Sequence, residues 1–298
     1  MSDRYQQIRD VRAFAPERIG ELARARRTRS ISQGDGRLLL IAADHPARGA
    51  LRVGSDATAM GDRYDLLDRL AVALECPGVD GLLATPDIVE DLLIMGVLDD
   101  KVVAGSINRA GLPGAVFELD DRVTAYTPGA VSRDGFDFGK VLLRIDLEDP
   151  VTARALETVG RLVSDSAALQ LPIMIEPFMS RRVGGRVVNE LTADAMVQAV
   201  SIAAGLGDTS AYTWLKLPVV PDMEKVMAAT TLPVLLLGGD PDSGADDIYR
   251  AWEDALALPG VRGIVAGRRL LYPEDGRVAD AVATAAGIVH SATPAVAH

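Results

Sequence analysis

Eight short, β-rich apolar runs alternate with longer segments of helical period, and this alternation restricts the fold more than any other feature. The runs are RLLLIAAD (37–44), VDGLLAT (79–85), KVVAGSI (101–107), KVLLRID (140–146), LPIMIEPF (171–178), AYTWLKLPVV (211–220), LPVLLLGGD (232–240) and RGIVAGRRL (262–270). Helices are expected at about 64–75, 86–96, 150–169, 192–204, 221–229, 243–258 and 275–290, with Pro86 suited to a first helical turn. After the third run, GAVFELDDRVTAYTP reads as a small hairpin around Asp120-Asp121. Near-continuous apolar strands imply a parallel sheet covered by helices, either an open doubly wound sheet or a barrel. An open nucleotide-binding sheet usually shows a glycine fingerprint after its first strand. Here the first run ends AADHPARGA, and the glycines come at the seventh and eighth, where barrels commonly hold a phosphate. The expectation is one (β/α)8 TIM barrel over 1–298, with a helical extension at 1–36, the barrel at 37–290 and a tail at 291–298.

Composition bounds the function. With 48% apolar and 24% charged residues the chain can build a sizeable core. A net charge of −11 speaks against a general nucleic-acid surface but leaves room for a locally positive pocket. Cys76 is the only cysteine, so neither a disulfide framework nor a thiolate cluster is expected, which suits a reducing cytoplasm. The N-terminal MSDRYQQIRDVRAFAPERIGELARARRTRS lacks a signal core and reads as one amphipathic, Arg-rich helix. No run reaches the roughly 18 apolar residues of a membrane span. Histidine occurs only at 45, 290 and 298, so a zinc site is not expected, and nothing calls for a cofactor. The N-terminal helix and the hairpin are available for contacts in a homo-oligomer, the expected assembly.

Lysine is scarce, at positions 101, 140, 216 and 225 only, yet three of the four lie in the apolar runs. A buried charge is costly unless paired or neutralised. Side chains two apart share a strand face. In phase, Asp44 follows Leu38, Leu40 and Ala42; Lys140 and Arg144 share a face; Glu176 lies between Met174 and Phe178; Lys216 lies between Trp214 and Pro218. We take the charged faces to point into the barrel, because outward charges would lie under helices. A lysine among carboxylates at a low-dielectric barrel mouth suits imine chemistry: desolvation and nearby positive charge lower its pKa, and the neutral amine attacks a carbonyl. Glu176 and Asp44 are the carboxylates available as proton shuttles. Each residue also has a purely structural reading. Lys216 can serve as an ion-pair partner, Asp44 as a loop cap, and Glu176 as partner to Arg144 or Lys140. Gly238-Gly239 can be a tight turn. Of Arg268 and Arg269, one at most is expected to face a ligand. His45 reads as structural or substrate-contacting rather than metal-binding.

In order and spacing, these motifs resemble the class I aldolases of the deoxyribose-phosphate aldolase/tagatose-bisphosphate aldolase group, over about residues 37–290. KVLLRIDLED, IMIEPF and WLKLPVV are similar to that group's fourth, fifth and sixth strands, LLLGGD and GIVAGRRLLY to its phosphate loops, and IAADHPARG to its strand-one aspartate motif. The resemblance implies Lys216 as the Schiff-base lysine and Glu176 as a general acid/base. Asp44 becomes a second acid/base or a substrate-hydroxyl contact, and Lys140 lowers the Lys216 pKa or holds a substrate oxygen. Gly238, Gly239, Gly267 and Arg268 would cradle a phosphate. There are departures. LPVLLLGG lacks the further lysine of deoxyribose-phosphate aldolases, His45-Pro46 stands where tagatose-type enzymes have Gln-Arg, and Arg144 stands where an aromatic is usual. GSINRAGLPGAVFELDDR resembles an actinobacterial branch associated with inositol catabolism, which makes 2-deoxy-5-keto-gluconate 6-phosphate a candidate substrate. Two rivals stand beside this reading: a carboxylate-only phosphosugar isomerase or epimerase, and a non-catalytic sugar-phosphate sensor.

Overall fold

A computed structural model describes residues 3–108, 111–238 and 244–291. Nine strands form among the described residues: β1 Leu38–Ala42, β2 Gly81–Ala84, β3 Val102–Ser106, β4 Phe138–Ile145, β5 Ile173–Val183, β6 Arg186–Asn189, β7 Thr213–Leu217, β8 Val234–Leu237 and β9 Val261–Ala266. All but β6 pair in parallel in the ring β1-β2-β3-β4-β5-β7-β8-β9, and β9 closes it on β1 with Leu38 opposite Gly263 and Leu40 opposite Val265. This is the (β/α)8 barrel that the alternation predicts. Its helices are α1 Asp3–Phe14, α2 Glu17–Ala25, α3 Arg63–Glu75, α4 Pro86–Met95, α5 Pro128–Arg133, α6 Val151–Ala168, α7 Ala193–Ala204, α8 Met223–Met227, α9 Ala245–Leu256, α10 Arg268–Leu271 and α11 Val278–Ser291.

Strand alternation sorts the apolar residues into two cores. Leu38, Leu40, Ala42, Leu83, Val102, Ala104, Phe138, Met174, Leu235 and Val265 fill the lumen. Phe138 meets the Trp214 ring edge-on at 5.3 Å. The alternate residues, such as Leu39, Ile41, Val141, Ile175 and Leu215, face the helices in the larger outer core. The charged residues of β4, β5 and β7 are therefore in phase with the lumen.

Two expectations are corrected. The N-terminal segment forms two helices, broken at Ala15-Pro16, because proline lacks an N–H and disfavours helix in the residue before it. Both pack on α4, and Arg12 donates to Asp91 at 2.8 Å. The hairpin around Asp120-Asp121 does not form. Residues 111–127 run through turns with one antiparallel bridge, Asn108 to Val123, since Glu118 turns inward to accept from the Gly114 amide instead of alternating outward. A hairpin forms instead where β5 overruns the barrel and returns as β6 around Gly184 and Gly185, both left-handed with φ of 57° and 81°. The tail beyond Ser291 and the expected start of the 243–258 helix at Ser243 lie outside the described residues.

The end of the barrel away from the charged mouth is tied by His290. Its Nδ1 lies 2.9 Å from Asp35 and its Nε2 2.9 Å from the Gly78 carbonyl and 3.3 Å from Asp80. The hydrogen bond to Asp80, outweighing burial and helped by Asp35, raises the imidazole to about 9. A raised pKa contributes stability in full below the unfolded value, about 6.5, and loses it as pH climbs through 9. We expect stability to fall by about 1–2 kcal/mol between pH 6.5 and 9.5, the ring being partly exposed. His290→Ala is expected to flatten that slope in chemical denaturation.

Candidate active site

Four charged side chains from four strands meet in the lumen near its C-terminal end. Asp44 follows β1, Lys140 lies on β4, Glu176 on β5 and Lys216 on β7, and all are 8% exposed or less. They form a chain of alternating sign. Asp44 Oδ2 is 3.1 Å from Lys140 Nζ, Lys140 Nζ is 2.8 Å from Glu176 Oε2, and Glu176 Oε2 is 3.0 Å from Lys216 Nζ. Register explains the grouping: Lys140 pairs with Met174, Leu142 with Glu176, and Ile175 with Leu215, so Glu176 and Lys216 occupy one layer. The remaining lysines are elsewhere. Lys101 donates to the Val79 carbonyl, and Lys225 pairs with Asp194 on the surface.

The two lysines differ because their neighbours do. Burial lowers Lys140, but Asp44 and then Glu176 outweigh it, and its pKa ends above the ordinary value. Lys216 is lowered by burial first; Glu176 opposes this, while the positive charge of Lys140 adds to it. Burial raises both carboxylates, yet Lys140 above all holds each below its usual range. The arrangement thus pairs a fixed ammonium with a lysine biased toward the neutral amine. His45 Nδ1 is 3.7 Å from Asp44, and burial lowers the ring to about 3 despite that aspartate, so the imidazole is neutral.

A cavity of about 420 Å³ opens over this chain. Asp44, His45, Lys140, Arg144, Glu176, Lys216, Gly238, Gly267, Arg268 and Arg269 all line it. Gly239 lies outside the described residues. Glu176 has the lysines as its partners, whereas Arg144 takes Glu118, at 3.2 Å. Reading the sequence missed Arg48, Asn189 and Leu191, which also line the cavity. Arg48 sits on the short 3-10 turn that follows the first strand, in the HPAR stretch, and β5–β6 delivers the other two over the mouth. Asn108 was missed as well. Its side chain donates to the Leu142 carbonyl at 2.7 Å and accepts from the Leu142 amide at 2.9 Å, continuing the pairing of β4.

Gly267 is required by space. A Cβ there would lie 2.3 Å from the Ala42 carbonyl oxygen and 3.0 Å from His45 Cε1. Gly267→Ala is expected to push β1 away from β9 and cost about 1–3 kcal/mol, read by chemical denaturation.

Fold and charges together define a (β/α)8 barrel with a lysine–carboxylate centre at its mouth. The chain belongs to the Cgl0159-like family, which it matches over residues 36–286. It is similar to the crystal structure of Cgl0159 from Corynebacterium glutamicum (Brevibacterium flavum), with 55% identity over 98% of each chain and a TM-score of 0.95. At the level of fold it resembles an archaeal fructose 1,6-bisphosphate aldolase, with 19% identity over 92% of this chain and 99% of that one, and a TM-score of 0.63. It likewise resembles a fructose-bisphosphate aldolase from Slackia heliotrinireducens, with 16% identity over 97% and 95% and a TM-score of 0.61. No curated protein matches the chain. Among the described residues no helix is long and apolar enough to cross a membrane, and no three His, Cys, Asp or Glu are grouped to hold a metal ion.

Proposed function

We propose that the protein is a class I, metal-independent aldolase acting on a phosphorylated ketose or keto-sugar acid, with Lys216 as the imine-forming residue. The observation that carries this reading is the unequal lysine pair around Glu176: one lysine held protonated, the other lowered and open to the cavity. The fold shared with aldolases, one of them described as Schiff base forming, adds to it.

Neutral Lys216 adds to the substrate ketone, giving a carbinolamine. Glu176, 3.0 Å from Nζ, takes the proton that the Lys216 ammonium sheds on becoming the neutral amine and returns it to the departing hydroxyl, which leaves as water and produces the iminium ion. A carboxylate, Asp44 or Glu176, then takes the proton of the hydroxyl beyond the bond to be cleaved. That C–C bond breaks, its electron pair moves toward the iminium nitrogen as the enamine, and an aldehyde departs. Protonation of the enamine carbon and hydrolysis of the imine release the second product and restore Lys216. Lys140 stays charged throughout, returning each carboxylate to its ionised form once it has passed its proton on and repelling a proton from Lys216. Gly238, Gly267 and Arg268 are the proposed phosphate cradle. The resemblance to an inositol-associated branch makes 2-deoxy-5-keto-gluconate 6-phosphate the first substrate to test.

The test is borohydride reduction in the presence of candidate sugar phosphates, followed by peptide mass mapping. A reduced adduct on Lys216 is expected, with turnover insensitive to EDTA. An active protein that gives no adduct with any carbonyl substrate overturns the mechanism.

A further inference from the structure

β4 is held unequally along its two edges. β5 follows it as far as Ile145, but β3 accompanies it only to Ser106, opposite Lys140. The last backbone bond on the β3 side runs from the Ile107 amide to the Lys140 carbonyl, at 2.8 Å. In a parallel ladder the next rung would offer the Ile107 carbonyl to the Leu142 amide. That carbonyl accepts instead from the Thr124 and Ala125 amides, at 3.3 and 3.1 Å. The Asn108 side chain takes over the rung. Its Nδ2 donates to the Leu142 carbonyl at 2.7 Å, and its Oδ1 accepts from the Leu142 amide at 2.9 Å. A carboxamide carries both the donor and the acceptor of a peptide group, and only this orientation satisfies both partners. Asn108 is itself fixed: it is 3% exposed, its carbonyl accepts from the Ser106 hydroxyl at 2.9 Å, and its backbone bridges to Val123.

This clamp lies at the level where charge is divided. Leu142 is opposite Glu176 and follows Lys140 among the cavity-lining residues of β4. Lys140 and Lys216 both contact the same oxygen of Glu176, Oε2, at 2.8 and 3.0 Å. Two cations on one oxygen make a division that a small displacement of either alters, because Coulomb energy varies steeply at such separations in a buried site. Lys216 reaches the oxygen from β7, whereas the reach of Lys140 depends on where β4 sits. Without the Asn108 amide, two buried backbone groups of Leu142 lose their partners, and β4 is released from the β3 side at this level. The strand is then free to draw its ammonium away from Glu176.

We propose that Asn108 is a positioning residue: its amide replaces the missing backbone rung on β4 and so fixes how Glu176 is shared between Lys140 and Lys216. It touches neither lysine and acts through the strand that carries Lys140. Its catalytic meaning rests on the reading of Lys216 as the imine-forming lysine.

The test follows the pH dependence of Lys216 methylation by formaldehyde and cyanoborohydride, located by peptide mass mapping. This reaction consumes the neutral amine and needs no sugar phosphate. Asn108→Ala is expected to move the acid limb of the rate upward by about 0.5 pH unit, a loss of about threefold at a fixed acidic pH, because Glu176 passes to Lys216 as Lys140 withdraws. Asn108→Ser, a milder change that keeps one polar group, should move it less and in the same direction. In a Lys140→Met background, Asn108→Ala should move the limb no further, since the residue it acts through is gone. A limb that stays in place while stability falls marks a structural brace and overturns the proposal. So does a shift that persists without Lys140, or failure of both variants to fold. Borohydride trapping with sugar phosphates on the wild-type protein separates this failure from that of the aldolase reading. No sugar-phosphate adduct beside the expected shift overturns the aldolase reading and leaves the positioning of the lysine pair standing.

Discussion

Replacing Lys216 with methionine is expected to eliminate the borohydride-trapped adduct and lower kcat at least about ten-thousandfold, because Lys140, the other lysine lining the cavity, is held protonated by Asp44 and Glu176. The fold should survive. Methionine keeps the aliphatic stem in a site 6% exposed, and Lys140 remains 2.8 Å from Glu176 to compensate its charge. Chemical denaturation should therefore shift by no more than about 2 kcal/mol. Turnover that persisted in this variant would shift the assignment to an isomerase or epimerase working through carboxylates alone. A sugar phosphate that raised the melting temperature of wild-type protein without being turned over would mark a sensor instead.

Lys140→Met is expected to damage stability more than Lys216→Met, and to alter chemistry in a different manner. It strips the shared cation from Asp44 and Glu176, two buried carboxylates that each lie within 3.1 Å of it. The cost should be about 3–5 kcal/mol at neutral pH. The sign with pH follows from the depressed carboxylates. Their pairing contributes stability above the unfolded pKa, near 4, and loses it as pH falls through the lower folded values. The deficit of the variant should therefore narrow in acid. Lys216 meanwhile loses a repelling neighbour and has Glu176 to itself, so its pKa rises. The acid limb of the rate of imine trapping should move to higher pH by about one unit, a displacement that a merely looser barrel does not produce.

Most of this site was legible because strand geometry has a period of two. Once the eight runs are recognised, Asp44, Lys140, Glu176 and Lys216 fall in phase with the lumen, and the closed ring brings them together. What was not legible came from segments without a period. Glu118 approaches Arg144 from a turn-rich stretch whose apparent alternation suggested a hairpin, and only tertiary packing decides that it points inward. The β5–β6 hairpin was hidden because Gly184-Gly185 reads equally well as a loop. The break at Pro16 was masked by helical patterning on both sides of it. Arg48, three residues beyond His45, was passed over as one arginine among many, and no spacing rule marks a residue on a short 3-10 turn.

The order of charges has a further consequence. Asp44 and Lys140 come from the first half of the barrel, Glu176 and Lys216 from the second, and each half holds one acid and one base. The contact that joins them, Lys140 to Glu176, is made only where β4 meets β5. The group of four thus exists only in the closed ring, and the proposed imine centre depends on the one seam where β4 meets β5.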